Sequence, residues 1–440
     1  MNEFTHGPVM WQTIAAILIF AVAYLLFLAE IWNRTYVALT GALLMLALGI
    51  VPFQKAFAQY IHWNTLFLLI GLYIISHFFR KTGLFSYLAV YLIGRTAANP
   101  LSMLLILALI AGIGSALFDG LLVIATLVPF TLHAVRILKI SSVPFVAAEI
   151  IMANIGGMAT LIGNTPNRLI GTYAGLTILQ FLTVIGPLVF LFMLVTLILL
   201  GWMYRKQFQV SSDRKKELLR QQASDYLVDG LLLFRGTIVS MLILLGFLLQ
   251  GVLGVQSGTI ALAGALLIVL VDYKEIGRTF RQRDYVRWLH GVIDSQVLFF
   301  AGLFIMVGGL TYSGVSGYTA ARGVEITQGS LSFAAMMLLW ITGLGSAAVD
   351  SIPFVAAMLP VVKETASAFG RVDALWWALA MGAGIGGAGT LLGSTMNMAA
   401  AGMAQAEGER LTHWQYFKIS GIITIIMMAL ASIYLSVFLL

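Results

Sequence analysis

Two aspartates give the first chemical signal in this sequence. Asp119 ends the stretch Gly112-Ile-Gly-Ser115-Ala-Leu-Phe-Asp119, and Asp350 ends Gly343-Leu-Gly-Ser346-Ala-Ala-Val-Asp350, 231 residues later. Each acid sits at a turn between two apolar arms with no room for a solvated loop. A carboxyl group in such surroundings is costly, which points to proton carriage or cation binding. It can also cap the helix that follows, by accepting its first N–H bonds. A second polar anomaly runs from Asn154 to Arg168 and holds three Gly, three Asn, two Thr, a Pro and an Arg within an apolar segment. It recurs at 384–398, where Gly156, Gly157, Thr160, Leu161, Gly163, Thr165 and Asn167 return as Gly386, Gly387, Thr390, Leu391, Gly393, Thr395 and Asn397. Glycine permits unwinding, and Pro166 removes a backbone donor. The freed carbonyls and the Asn, Thr and Ser side chains then become candidate ligands. They are Asn154, Gly163, Asn164, Thr165 and Asn167 in the first copy, and Gly393, Ser394, Thr395 and Asn397 in the second. Ser115 and Ser346 join them from the stretches before the aspartates. Arg168 is answered only by Met398. It either pairs with an aspartate, faces an anion, or snorkels to the interface. Glu149 is a further candidate for a proton relay; it and Asp294 are expected at wet helix ends.

These residues must be held by membrane helices. The chain has 440 residues, 60% of them hydrophobic and only 10% charged, and its apolar runs approach the length that spans a bilayer. It has no cysteine, so disulfides and thiolate metal sites are excluded. The first ten residues carry a Glu and no Lys or Arg, unlike the basic start of a cleaved signal peptide. Gly382 to Gly387 fits GxGxxG, but follows no strand, so no dinucleotide site is expected. No nucleophile–base or metal-ligand spacing suggests an enzyme. His62, His77, His133 and His290 lie near span ends. No cofactor is expected beyond a proton or sodium gradient.

The expected fold is an all-α polytopic membrane protein made of two inverted five-crossing repeats, at 1–200 and 236–440, joined by a solvated cytoplasmic linker at 201–235. Each repeat has three spans (about 11–29, 36–51 and 63–79, then 236–254, 258–271 and 291–311). A re-entrant hairpin follows (about 101–135 and 331–362), then a broken helix (about 145–176 and 374–402) and a last span (178–200 and 417–439). Residues 83–97 are expected as an interfacial helix. Five crossings are odd, so the second copy is inverted. Charge supports this, because all of the 25 Lys and Arg except Lys55, Arg168, Arg322, Lys363 and Arg371 then fall on cytoplasmic segments. The net charge of +7 is thus topogenic and no nucleic-acid footprint. The expected location is the plasma (inner) membrane, with both termini non-cytoplasmic. Inverted repeats with discontinuous helices near the midplane are the architecture of secondary transporters.

At these stretches the sequence resembles the ion transporter superfamily, in its arsenite-permease branch, which includes the melanosomal P protein and NhaD-type antiporters. Ser346 to Ala357 looks like that branch's second hairpin, and Gly386 to Asn397, running on to Gly408, like its second broken helix. The resemblance implies a scaffold domain, a transport domain, elevator-type alternating access and, in many members, a homodimer. There are departures. The branch often has Asp-Asn at the hairpin tips, where this chain has Asp119-Gly120 and Asp350-Ser351. It often has Gly-Asp-Pro-Pro-Asn in the first break, where this chain has Gly163-Asn-Thr-Pro-Asn167 followed by Arg168. Asn164 in place of an acid and the added charge of Arg168 lower negative charge and weaken a sodium site. The leading expectation is proton-coupled export of arsenite, antimonite or a related small oxyanion. A sodium–proton antiporter, a dicarboxylate carrier and an uncoupled channel stay open. The partners are accordingly the lipid bilayer and a small inorganic anion, a metalloid or a monovalent cation. Asp119→Asn and Asp350→Asn are each expected to reduce gradient-driven transport in proteoliposomes. Intact transport in both variants would remove the proton-carrying role.

Overall fold

The computed structural model describes residues 10–29, 31–227, 230–271, 295–370 and 373–440. Asp229, His290, Asp294 and Arg371, with residues 1–9, lie outside that set. The described chain is helical almost throughout, as a backbone must be where lipid offers no hydrogen-bond partners. Among the described residues nine helices are long and apolar enough to cross a membrane. They become up to ten if Val297–Tyr312 and Val315–Ile326, bent by 65° at the turn between them, count as one span. That turn is made by Gly314, with φ +79°, and Gly83 makes the same left-handed turn between Trp63–Thr82 and Leu84–Arg95, with φ +72°.

Two helices form the centre. In Val143–Gly157 every residue from Pro144 on is buried, and so is every residue of Asp373–Gly389 from Ala374 on. They pack on each other and on the arms Pro100–Leu117 and Leu331–Ala348. Glycine permits that approach. A Cβ at Gly156 would lie 1.9 Å from the carbonyl oxygen of Gly112, and one at Gly386 would lie 2.2 Å from that of Gly343. A second layer crosses between the halves of the chain. Trp63–Thr82 packs on Ser257–Val271, and Arg34–Ala47 packs on Ser295–Tyr312. Gly71 meets the backbone of Ala261, and Gly302 meets that of Ala38. The outermost helices, Met10–Ala29, Gly186–Tyr204, Gly230–Leu248 and His413–Tyr434, turn large apolar side chains such as Val22, Phe190, Met241 and Ile425 outward. Exposed apolar surface on this scale requires a lipid cover.

Several expected boundaries shift. The second helix, Arg34–Ala47, has only 14 residues and begins with Asn33 accepting from the Thr35 N–H. The linker is shorter than 201–235, because helix Gly186–Tyr204 runs into it and Gly230–Leu248 starts within it. Most of its described residues are solvent-exposed, as expected, but part of it docks on the first half of the chain. Leu218 is buried, Gln221 meets His133 at 2.8 Å, and the Tyr226 carbonyl packs against Gly83. The apolar face of the short helix Ser212–Leu219 explains this, since Leu218 needs a cover that water cannot give.

Gly156→Ala and Gly386→Ala are each expected to destabilise the fold by about 1–3 kcal/mol through overpacking. Gly94→Ala, at an open helical position, should be neutral or slightly stabilising. Thermal unfolding in detergent, followed by monodisperse elution, measures all three.

Candidate functional site

Each apolar arm pair turns at its aspartate. Asp119 caps Gly120–Leu138, its Oδ1 accepting from the N–H groups of Leu121 (2.9 Å) and Leu122 (3.4 Å). Asp350 caps Ser351–Phe369 and accepts from Ile352 at 3.0 Å. Each tip is also pinned to the neighbouring break. The Gly120 N–H donates to the Gly163 carbonyl at 3.0 Å, and the Ser351 N–H donates to that of Gly393 at 3.1 Å.

The breaks divide Val143–Gly157 from Thr165–Ala174, and Asp373–Gly389 from Thr395–Ala406. Two buried asparagines close them. Asn167 donates to the carbonyls of Met158 (2.9 Å) and Thr160 (3.0 Å), and Asn397 to those of Gly387 (2.7 Å) and Thr390 (2.8 Å). These carbonyls have lost their helical partners, and a buried polar group without one costs about 1–3 kcal/mol. Thr160 and Thr390 donate across to Ala116 and Ala347. Asn154 joins the two breaks by donating to Asn397 Oδ1 at 2.8 Å.

Both aspartates use their second oxygen in an ion pair. Arg168 pairs with Asp119 and also donates to the Ile162 carbonyl. Snorkelling is thereby excluded, since the Arg168 side chain is 4% exposed. Asp350 is paired by Arg34, from the start of the second helix, and Thr395 adds a 3.4 Å bond to the same oxygen. Sequence reasoning placed Arg34 among the topogenic charges. The signal that could have found it is the helix behind it, which is too short to carry Arg34 out to a headgroup.

A cavity of about 380 Å³ lies between these elements. Asp119, Asn154, Gly163, Asn164, Thr165, Asp350, Ser394 and Thr395 line it, together with Arg34, Phe299, Phe300 and the exposed Trp32. Five helices begin on its wall, at Arg34, Gly120, Thr165, Ser351 and Thr395. Helix N-termini carry positive potential and bind anions. Other expected site residues stand back from this cavity. Asn167 and Asn397 are fully buried in the closure of the breaks, and Gly393 holds the Ser351 N–H. Ser115 and Ser346 are fully buried, and their hydroxyls have no hydrogen-bond partner among the described residues. Arg168 lines a smaller side cavity of about 110 Å³, which shares Asp119 and Leu121 with the main one. Glu149 was expected to be wet and is instead completely buried, with Thr131 donating to one of its oxygens. It sits in the middle of a helix that has protein on every side.

An all-helical membrane protein with a polar cavity between two interrupted helices is a secondary transporter. The chain belongs to the citrate transporter family (CitMHS), which residues 24–382 match. It is 33% identical to the "46 kDa membrane protein" of Mycobacterium leprae over 430 residues, covering 96% of this chain and 98% of that one. It is 34% identical over the same length to an uncharacterized transporter of Mycobacterium tuberculosis, with the same coverage. The mouse P protein is 28% identical over 504 residues, which cover 95% of this chain and 59% of that protein. The fold resembles the crystal structure of the Alcanivorax borkumensis YdaH transporter, with a TM-score of 0.59, 13% identity and 98% and 97% of the two chains covered.

Arg34→Met is expected to destabilise the protein by about 3–5 kcal/mol, because it leaves Asp350 buried without its charge partner. Arg34→Gln combined with Asp350→Asn should recover most of that loss. Thermal unfolding of the single and double variants measures the pair, and equal loss in both would show that the guanidinium serves packing alone.

Proposed function

We propose that this protein carries a small oxyanion, first of all a di- or tricarboxylate such as citrate, together with protons. One observation carries the reading: Arg34 reaches the main cavity as the partner of Asp350, among five helix N-termini that include its own. With both aspartates ionised, each guanidinium is engaged by its own acid. Protonation of Asp350 ends its charge pairing with Arg34, whose positive charge then acts on a substrate carboxylate in the main cavity. Anion and proton therefore bind together, so anion affinity rises as pH falls. The family's description as citrate transporters supports the carboxylate class, and the volume lies in the range of small-molecule sites. A sodium–proton antiporter needs a carboxylate that is open to a cation, and both acids here are paired with arginine. An arsenite or antimonite carrier would use the same breaks and remains part of the test.

The wider architecture belongs to the same proposal. Asp119 and Asp350, Asn167 and Asn397, Gly71 and Gly302, and the tip-to-break bonds recur close to one offset. This supports two inverted repeats, each contributing a re-entrant hairpin and a broken helix to a moving transport domain. The lining from Trp32 to Thr35 puts the cavity mouth at the turn between the first two helices. With both termini outside the cytoplasm, that turn is cytoplasmic and the cavity faces inward.

Uptake by proteoliposomes under imposed pH or sodium gradients, against citrate, succinate, arsenite and sodium, tests the reading. Carboxylate uptake driven by an inward proton gradient is expected. The apparent affinity for a dicarboxylate that stays fully ionised should tighten roughly tenfold between alkaline and mildly acidic pH. Proton-driven sodium efflux that needs no anion would overturn the proposal in favour of the antiporter.

A further inference from the structure

The smaller cavity has no place in substrate binding, and its walls suggest another use. Asp119 and Leu121 border both cavities, whereas Arg168 borders only the smaller. The Asp119–Arg168 pair is therefore the partition between them. The opposite wall is a single stripe of helix Trp63–Thr82, namely Leu69, Tyr73, Ser76, His77 and Arg80. These positions fall on one face of a helix, and four of the five are polar or ionisable. Access is graded across the cavity: Arg80 is exposed at the basic end of the helix, His77 is partly buried, and Arg168 on the facing break is buried. The volume of about 110 Å³ holds several waters, each needing about 10–15 Å³ on this measure.

We propose that this cavity is a proton-access route to Asp119, separate from the substrate cavity, with His77 as its proton-transfer residue. The inference rests on the proton-coupled reading above. A substrate anion in the main cavity would block any proton path through it, whereas the side cavity reaches the same carboxyl from behind. Arg80 meets His77 Nδ1 at 3.0 Å. A guanidinium only donates, so Nδ1 is the acceptor and the neutral ring carries its hydrogen on Nε2. The steps are reversible and run backwards when uptake discharges Asp119 to the cytoplasmic side; in the loading direction a proton from water adds to Nδ1 and displaces Arg80. The Nε2 proton then leaves through water to Asp119 Oδ2, which releases Arg168. One proton moves, no electrons do, and a ring flip restores the starting tautomer. Among the described residues, the titratable and charged groups around this path are Tyr73, Arg80 and Lys81 from the helix of His77, Asp119 from the hairpin and Arg168 from the break.

The test uses the full chain in proteoliposomes with a dicarboxylate. His77→Gln keeps a polar side chain but cannot relay a proton. It should lose at least about tenfold of proton-gradient-driven accumulation and keep dicarboxylate counterflow at equal pH within about twofold of wild type. Counterflow exchanges the loaded carrier and requires no net proton movement. Arg80→Gln, which leaves the ring in place, should retain both activities but shift the pH profile of accumulation. Unchanged accumulation in His77→Gln would overturn the route, as would equal loss of accumulation and counterflow, which marks a structural role. Wild-type protein that exchanges dicarboxylate but never accumulates it on a proton gradient would overturn the coupling itself. That result is read from the wild type alone.

Discussion

A helix that stops inside a bilayer leaves carbonyls and N–H groups that neither lipid nor water will satisfy. The whole arrangement around the cavity follows from that constraint. At each break one asparagine takes the stranded carbonyls, through Asn167 and Asn397. One threonine ties the break to the neighbouring hairpin, through Thr160 and Thr390. One aspartate takes the first N–H groups of the returning arm, and the next residue's N–H is given to the neighbouring break of the same half. These bonds tie the unwound segments to the neighbouring hairpins and make them walls of the cavity. What lines the cavity is the N-terminal end of five helices, the two paired aspartates and the Asn, Ser and Thr residues of the breaks.

The charges are balanced in two different ways. Asp119 is paired within its own half, by Arg168 from the adjoining break. Asp350 is paired across the molecule, by Arg34 from the second helix. In the proposed elevator the second helix is scaffold and the hairpin is moving domain. The Asp350–Arg34 pair would then break whenever the domain moves, while Asp119–Arg168 would travel intact. That difference fits one acid that answers to substrate and position and another that answers to protons arriving from the side. Nearly equivalent aspartates can thus do unequal work, through the origin of their partners.

Much of this was legible in the residues. Intramembrane acids at matched positions, glycine-rich breaks bearing Asn and Thr, and the near-constant offset between copies are local patterns. They arise because a helix interruption in lipid needs particular residue types near it. Several roles assigned to those residues were less legible. Ser115 and Ser346 looked like ligands and stand behind the wall, and Glu149 looked wet and is enclosed. In each case the pattern identified a residue near the break but not the side of the backbone to which its side chain turns.

The sequence by itself determined that the chain is a helical membrane protein, where its helices break, and which polar residues must serve the breaks. Those properties depend on hydropathy and on backbone donors counted a few residues at a time. Only the tertiary structure decided that Arg34 belongs to Asp350, that Arg168 faces the smaller cavity, and that a stripe of helix Trp63–Thr82 lies behind Asp119. Each is a meeting of side chains from segments far apart in sequence, with no local pattern to announce it. The physical reason is that charge pairing depends on distance in space, and in this fold that distance is set by how helices from the two halves pack together.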